Sequence, residues 1–279
     1  MITTKELQAA LIESGLGKGD TVLLQSDLLR IGPIDADGGR GDLLSFYFDT
    51  IKAVLGDEGT LCVLTSFEKY AREGVPYDRR QSPSQSGVLS QYVLDQQGSV
   101  RSIHPIVSIA ALGPQAEEIC GGAHFEGFGW DSPWGRLHRR NAKLVSLGYG
   151  AVPDGMTFLH YIELLFGVPY QYTKLYDFPV LDDGKVIEGT FTLSVRYLDY
   201  EIENDQTALK QELLNRKLAT ECPIGRSVVY TTDCHSVEQV AGEMFRKDRY
   251  MMLKRPPAFR RGEIPFDGQV RQVSQGKDT

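Results

Sequence analysis

The order of elements legible in this sequence predicts an α/β fold, a mixed central sheet flanked by helices with a β-rich C-terminal part. Three observations carry that reading. The apolar run "DTVLLQSDL" (Asp20 to Leu28) opens into a polar, glycine-bearing loop. A helix-period segment and a second apolar run, "GTLCVLTSF", follow it, the order of a right-handed crossover. Beyond Gly167 the runs become shorter and β-rich, as in "GTFTLSVRYLDYEI". A length of 279 residues and 41% hydrophobic composition suffice for a real core, so residues 1–261 are read as a single domain. Its β-rich subregion spans about 168–261, and the apolar-poor stretch 262–279 reads as a polar tail.

Element by element, "MITTKELQAALIESGLGKGD" is a short amphipathic helix ending at glycines, without the apolar core or cleavage site of a signal peptide. "DLLSFYFDTIKAVLG" places apolar residues at three- and four-residue spacing, with Gly56 as its stop. The stretch "EKYAREGVPYDRRQSPSQSG" is long for a loop in a compact domain, a length typical of lids, binding loops or disordered segments. A helix near "VLSQYVLDQQG", the run "SVRSIHPIVSIAALG", a helix near "PQAEEIC", an aromatic-rich loop and the strand "AKLVSLGYG" follow. After the octapeptide "TFLHYIEL" one further helix is expected, around "DQTALKQELLNRK".

Thirty basic against 37 acidic residues, net −7 with a pI near 5.3, weigh against a nucleic-acid surface. No run of ~18 apolar residues suggests a membrane span. Cys62, Cys120, Cys222 and Cys234 are widely spaced with no CxxC pair, which reads as reduced thiols in a cytoplasmic protein.

Four segments carry candidate chemistry. In "TFLHYIEL", Thr157, His160 and Glu163 recur every three residues and share one helix face. Spacing alone favours a capping threonine with a surface His–Glu pair. The place behind a strand and a glycine-rich loop, where α/β sheets bind ligands, favours a base aimed by its carboxylate. An HxxE pair without a second histidine is a weak metal signal, and no metal is expected. In "RSIHP", His104 before proline is either a strand-entry histidine bonded to backbone or a ligand wall, with Ser102 beside it. The only two tryptophans bracket Ser132-Pro133 in "WDSPWGRL", a rigid turn that suits a structural corner or a binding wall. Arg79 and Arg80 in "YDRRQSPSQSG" suit an anion.

These pieces, together with "KLVSLG" and the "VPYQYTK" that follows the octapeptide, resemble the aminoglycoside 3-N-acetyltransferase family over roughly residues 3–255. The resemblance implies that family's α/β fold and acetyl-CoA as cosubstrate. It implies direct transfer of acetyl to a sugar amine, and His160 as the catalytic histidine. Glu163 is then the orienting carboxylate and Thr157 a candidate oxyanion donor. Carried over by motif, Ser26, Ser84, Ser102, His104 and Ser132 line the coenzyme A channel, and Arg79 or Arg80 meets its phosphates on charge grounds. Tyr170, Tyr172, Asp199 and Glu201 stand on the acceptor side, rings for sugar faces and carboxylates for cationic amines.

Two departures stand out. Where many relatives read "HSS", this chain has Gln25-Ser26-Asp27, and "LGYGAVPDG" lacks a histidine soon after the glycine pair. The wording of "TFLHYIE…VPYQYTK" looks closer to members of surface-polysaccharide sugar biosynthesis. The acceptor therefore stays open between an aminoglycoside and a nucleotide- or lipid-linked amino sugar, as does an oligomeric state. Two alternatives remain at this point: an inactive homologue that binds coenzyme A and sugar, and a cysteine acyltransferase using Cys62.

Overall fold

The computed structural model describes residues 1–35, 40–149, 156–197 and 200–260. The first half of the chain runs α1 (Thr4–Glu13), β1 (Thr21–Ser26), the single turn α2 (Leu28–Ile31), α3 (Arg40–Leu55), β2 (Thr60–Leu64), α4 (Glu68–Glu73), β3 (Tyr77–Asp78), α5 (Val88–Leu94), β4 (Val100–Arg101) and β5 (Ile109–Leu112). It continues through α6 (Ala116–Cys120), α7 (Pro133–Arg139), β6 (Lys143–Leu147), α8 (Phe158–Leu165), β7 (Gln171–Tyr176), β8 (Val180–Asp182) and β9 (Lys185–Val186). The last elements are β10 (Phe191–Arg196), α9 (Thr207–Asn215), β11 (Thr220–Ile224), β12 (Ser227–Asp233) and α10 (Cys234–Phe245).

Seven strands form the central sheet in the order β11-β12-β6-β1-β2-β5-β4. β1 is parallel to both β2 and β6, whereas every other pair is antiparallel, so the sheet is mixed as predicted. The period of two along each strand sends side chains to two cores. Val22 and Leu24 pack with α1, α3 and α5 on one face, while Leu23, Cys62 and Leu144 pack with α6 to α10 on the other. The first helix starts where the sequence says it should. Thr3 Oγ1 accepts from the Glu6 amide at 3.2 Å and Glu6 Oε2 accepts from the Thr3 amide at 2.7 Å, a reciprocal capping box.

Three expectations about local structure change. Beyond Gly167 the described residues form two helices rather than one. Asp233 accepts from the Ser236 amide at 2.9 Å and starts α10, whose Val237, Val240, Ala241 and Phe245 are buried at helical spacing. The β-rich part is also divided. β7 and β10 form a separate two-stranded antiparallel sheet, but β12 pairs antiparallel with β6 and returns the chain to the central sheet. Finally, the long segment after β2 carries α4 and β3, and β3 pairs parallel with β8, Tyr77 opposite Val180, tying it down far along the chain. The stretch 262–279 lies outside the described residues.

Candidate active site

β1 has β2 on one side and β6 on the other, and the parallel strands β1 and β6 end together, Ser26 opposite Leu147. In parallel sheets a crevice forms beyond such carboxyl ends. Gly148, immediately after β6, has φ +92°, and a Cβ there would lie 2.1 Å from the Asp27 carbonyl oxygen. Only glycine fits so close to the turn that leaves β1.

Over this end of the sheet starts α8. Thr157 has helical φ and ψ and its side chain makes no capping bond, so the capping reading of this threonine is corrected. Its Oγ1 instead accepts a hydrogen bond at 2.9 Å from Nε2 of Gln25, near the end of β1. One turn on, His160 Nδ1 donates to Glu163 Oε2 at 2.7 Å. A carboxylate only accepts, so Nδ1 carries a proton, and in the neutral ring the lone pair is then on Nε2. The Phe128 ring, 6.1 Å away centroid to centroid, flanks the imidazole and is backed by Trp134. Glu163 is 2% exposed and the His160 side chain 31% exposed. The pair is therefore no surface salt bridge: a buried carboxylate holds a partly open imidazole.

Burying Glu163 requires donors, and the chain supplies them by turning back on itself. Just past its cap residue Phe166, α8 is terminated by Gly167, φ +59°, with the Val168 amide bonded to the Glu163 carbonyl at 3.2 Å. Tyr170 then donates its hydroxyl to Glu163 Oε1 at 2.8 Å, and Gln171 Nε2 donates to Oε2 at 2.6 Å. Ser194, on the paired strand β10, donates to Gln171 Oε1 at 2.8 Å. Burial first, and then the Glu163 charge, push the Tyr170 phenol well up from its ordinary range, which keeps it a donor.

The structure therefore joins Thr157, His160 and Glu163 and adds Gln25, Phe128, Gln171 and Ser194, which sequence reasoning missed. Tyr170, expected on the acceptor side, is fully buried and bonded to Glu163. Ser102, His104 and Ser132, expected along the coenzyme A channel, are all three solvent-excluded and bonded to backbone. Ser102 Oγ accepts from the Ile109 amide, and Ser132 Oγ caps α7 and donates to the Gly129 carbonyl. His104 Nε2 meets the Thr192 carbonyl at 3.0 Å while Nδ1 accepts from the Ile106 amide, and burial holds its pKa down to about 3. The other candidates are spread more widely. Ser26 is half-buried beside Gln25, and Ser84 lines a groove of about 520 Å³ with Leu44, Gln91 and Tyr92. Arg79 and Arg80 both pair with Asp182. Tyr172 stacks on Tyr197 at 4.7 Å, Glu201 pairs with Arg255 at 2.7 Å, and Asp199 lies outside the described residues.

Cys62 is fully buried and its thiol is pushed up to about 12 by burial. Among the described residues no group of histidine, cysteine and acidic side chains is arranged to hold a metal ion, and no helix is long and apolar enough to cross a membrane.

A family model described as aminoglycoside 3-N-acetyltransferase matches residues 23–246. The chain belongs to that family. A Serratia marcescens relative, aminoglycoside N(3)-acetyltransferase III, is 28% identical over 205 residues, 67% of this chain and 73% of the relative. The crystal structure of aminoglycoside acetyltransferase AAC(3)-Xa superposes with a TM-score of 0.74 at 23% identity, covering 88% of this chain and 93% of the other. A binary complex of AAC-IIIb with coenzyme A does so with a TM-score of 0.73 at 20% identity, covering 91% and 99%. Aminoglycoside 3-N-acetyltransferases are N-acetyltransferases with acetyl-CoA as cosubstrate, so the fold and enzyme class expected from the sequence hold for this member of the family.

Proposed function

We propose that this aminoglycoside 3-N-acetyltransferase family member moves an acetyl group from acetyl-CoA directly to an amine of an amino sugar, with His160 as general base. The observation that carries the reading is the 2.7 Å bond from His160 Nδ1 to a Glu163 carboxylate buried under two further donors. That arrangement aims Nε2 outward as an acceptor and stabilises the imidazolium that forms.

In the reaction the neutral amine nitrogen attacks the thioester carbonyl carbon, and the carbonyl π pair moves to oxygen. His160 Nε2 takes the proton that the nitrogen sheds. As the tetrahedral intermediate collapses the C–S bond breaks, the C=O bond re-forms, and the imidazolium returns its proton to the departing sulfur. The products are an amide and free coenzyme A, and the Thr157 hydroxyl serves as a donor to the transient oxyanion. The acceptor class is an aminoglycoside or a nucleotide- or lipid-linked amino sugar. The names of the curated relatives support the first.

Thiol release from acetyl-CoA over a panel of both acceptor types is the test. Wild-type protein should release coenzyme A with at least one amine, and His160→Ala should lose turnover by about 10²-fold or more while still binding coenzyme A. Near wild-type turnover in that variant would remove His160 from the chemistry. Mass spectrometry after acetyl-CoA alone should find unmodified protein.

A further inference from the structure

We infer that Gln25 is a positioning residue that sets the polarity of the Thr157 hydroxyl, leaving its proton free for the thioester oxygen. This rests on the transferase reading above and deepens it. Gln25 Nε2 lies 2.9 Å from Thr157 Oγ1. A hydroxyl has one proton and two lone pairs, so when the amide N–H occupies a lone pair the proton is not spent on Gln25. Nor is the hydroxyl drawn into capping α8, since Thr157 is helical and makes no side-chain cap.

The geometry places this donor usefully. Thr157 and His160 are three residues apart on one face of the helix, and both are half-buried rather than sealed. A base and a hydroxyl donor three residues apart, ~4.5 Å along the axis, can flank one carbonyl group. Gln25 itself is fixed from below. It lies in β1, in parallel register with Ser146 of β6, so the amide that orients Thr157 stands on the central sheet rather than on a loop. The glutamine that reads in sequence as the loss of a histidine thus has a part of its own.

Polarity makes the inference testable. A glutamate at position 25 has the same shape but only accepts, so it draws the Thr157 proton toward itself and away from the substrate. A methionine keeps the length and removes the interaction without reversing it. Steady-state thiol release, with an acceptor the wild type uses, should rank wild type above Gln25→Met and Gln25→Met above Gln25→Glu. The Gln25→Glu loss should be about 10²-fold and fall on kcat, with KM for acetyl-CoA changed less than ~3-fold. Thr157→Ser, which keeps the hydroxyl, should stay within a few-fold of wild type, and Gln25→Glu should cost nothing further in a Thr157→Val background. Equal losses in Gln25→Met and Gln25→Glu, or additive losses with Thr157→Val, overturn the assignment of Gln25 and leave the transferase reading standing. Absence of thiol release by the wild type with every acceptor overturns the transferase reading, and this inference with it.

Discussion

Tyr170 donates its phenolic hydroxyl to Glu163 Oε1, 2.8 Å away, from the segment that follows the helix bearing Glu163. The carboxylate is buried and takes three hydrogen bonds, so each donor matters beyond its own bond. Tyr170→Phe keeps the ring and removes one donor. The expected result is a loss of about 1–3 kcal/mol in urea unfolding, with a fall in kcat that exceeds any change in KM. Unchanged stability and kcat would mean that the other two donors suffice.

Glu163→Gln tests the orientation of the base. An amide at this place offers only one acceptor oxygen for the bonds that two oxygens now take, and its NH₂ group competes with His160 Nδ1 as a donor. The imidazole then loses its enforced tautomer. A fall in kcat of about 10²-fold or more is expected, with the fold intact by circular dichroism.

Acid should weaken the fold before the carboxylates titrate. His104 and His124 are buried; burial, the largest cause, holds their pKa values down to about 3 and about 4. Neither ring nitrogen of His124 has a hydrogen-bond partner among the described residues. Folded pKa values below the unfolded one mean that the unfolded chain binds more protons between them. The contribution is therefore complete above about pH 6.5 and is lost as pH falls toward 4 and then 3. Urea unfolding at pH 7.5 and pH 5.5 should differ by roughly 1 kcal/mol per histidine. A flat profile over that interval would contradict the burial of both rings.

The thiols should be silent. Cys62, Cys120 and Cys234 are fully buried, and burial raises all three thiol pKa values. Native protein at pH 8 should leave them unalkylated by iodoacetamide, and unfolding in urea should expose them. Cys62→Ala should keep acetyl transfer, because direct transfer uses no thiol nucleophile. Loss of transfer in a folded Cys62→Ala protein would favour the covalent route.

The sequence disclosed the parts of the site that obey a local rule. Thr157, His160 and Glu163 were legible because three-residue spacing puts side chains on one helix face, and the crossover β1-α3-β2 because apolar runs alternate with helical periods. What it hid depended on long-range closure. Gln25 reaches Thr157 across 132 positions, and nothing in "QSD" announces that contact. Gln171 and Ser194 meet only because β7 and β10 pair in one register. The residues left His104 open between a backbone-bonded strand-entry histidine and a ligand wall, and only the fold shows it bonded to the Thr192 carbonyl. The helix α10 had a sequence signal, an aspartate cap before apolar residues at helical spacing, which went unread.

The β7–β10 pair has a mechanical consequence. Gln171 sits on β7 and is itself held by Ser194 on β10, so both strands feed a hydrogen-bond chain that terminates on the Glu163 carboxylate. Anything that leans on this pair is felt at that carboxylate, and through it at His160. Under the proposed mechanism, a change in the pair that displaces Gln171 therefore also changes how well the base is aimed.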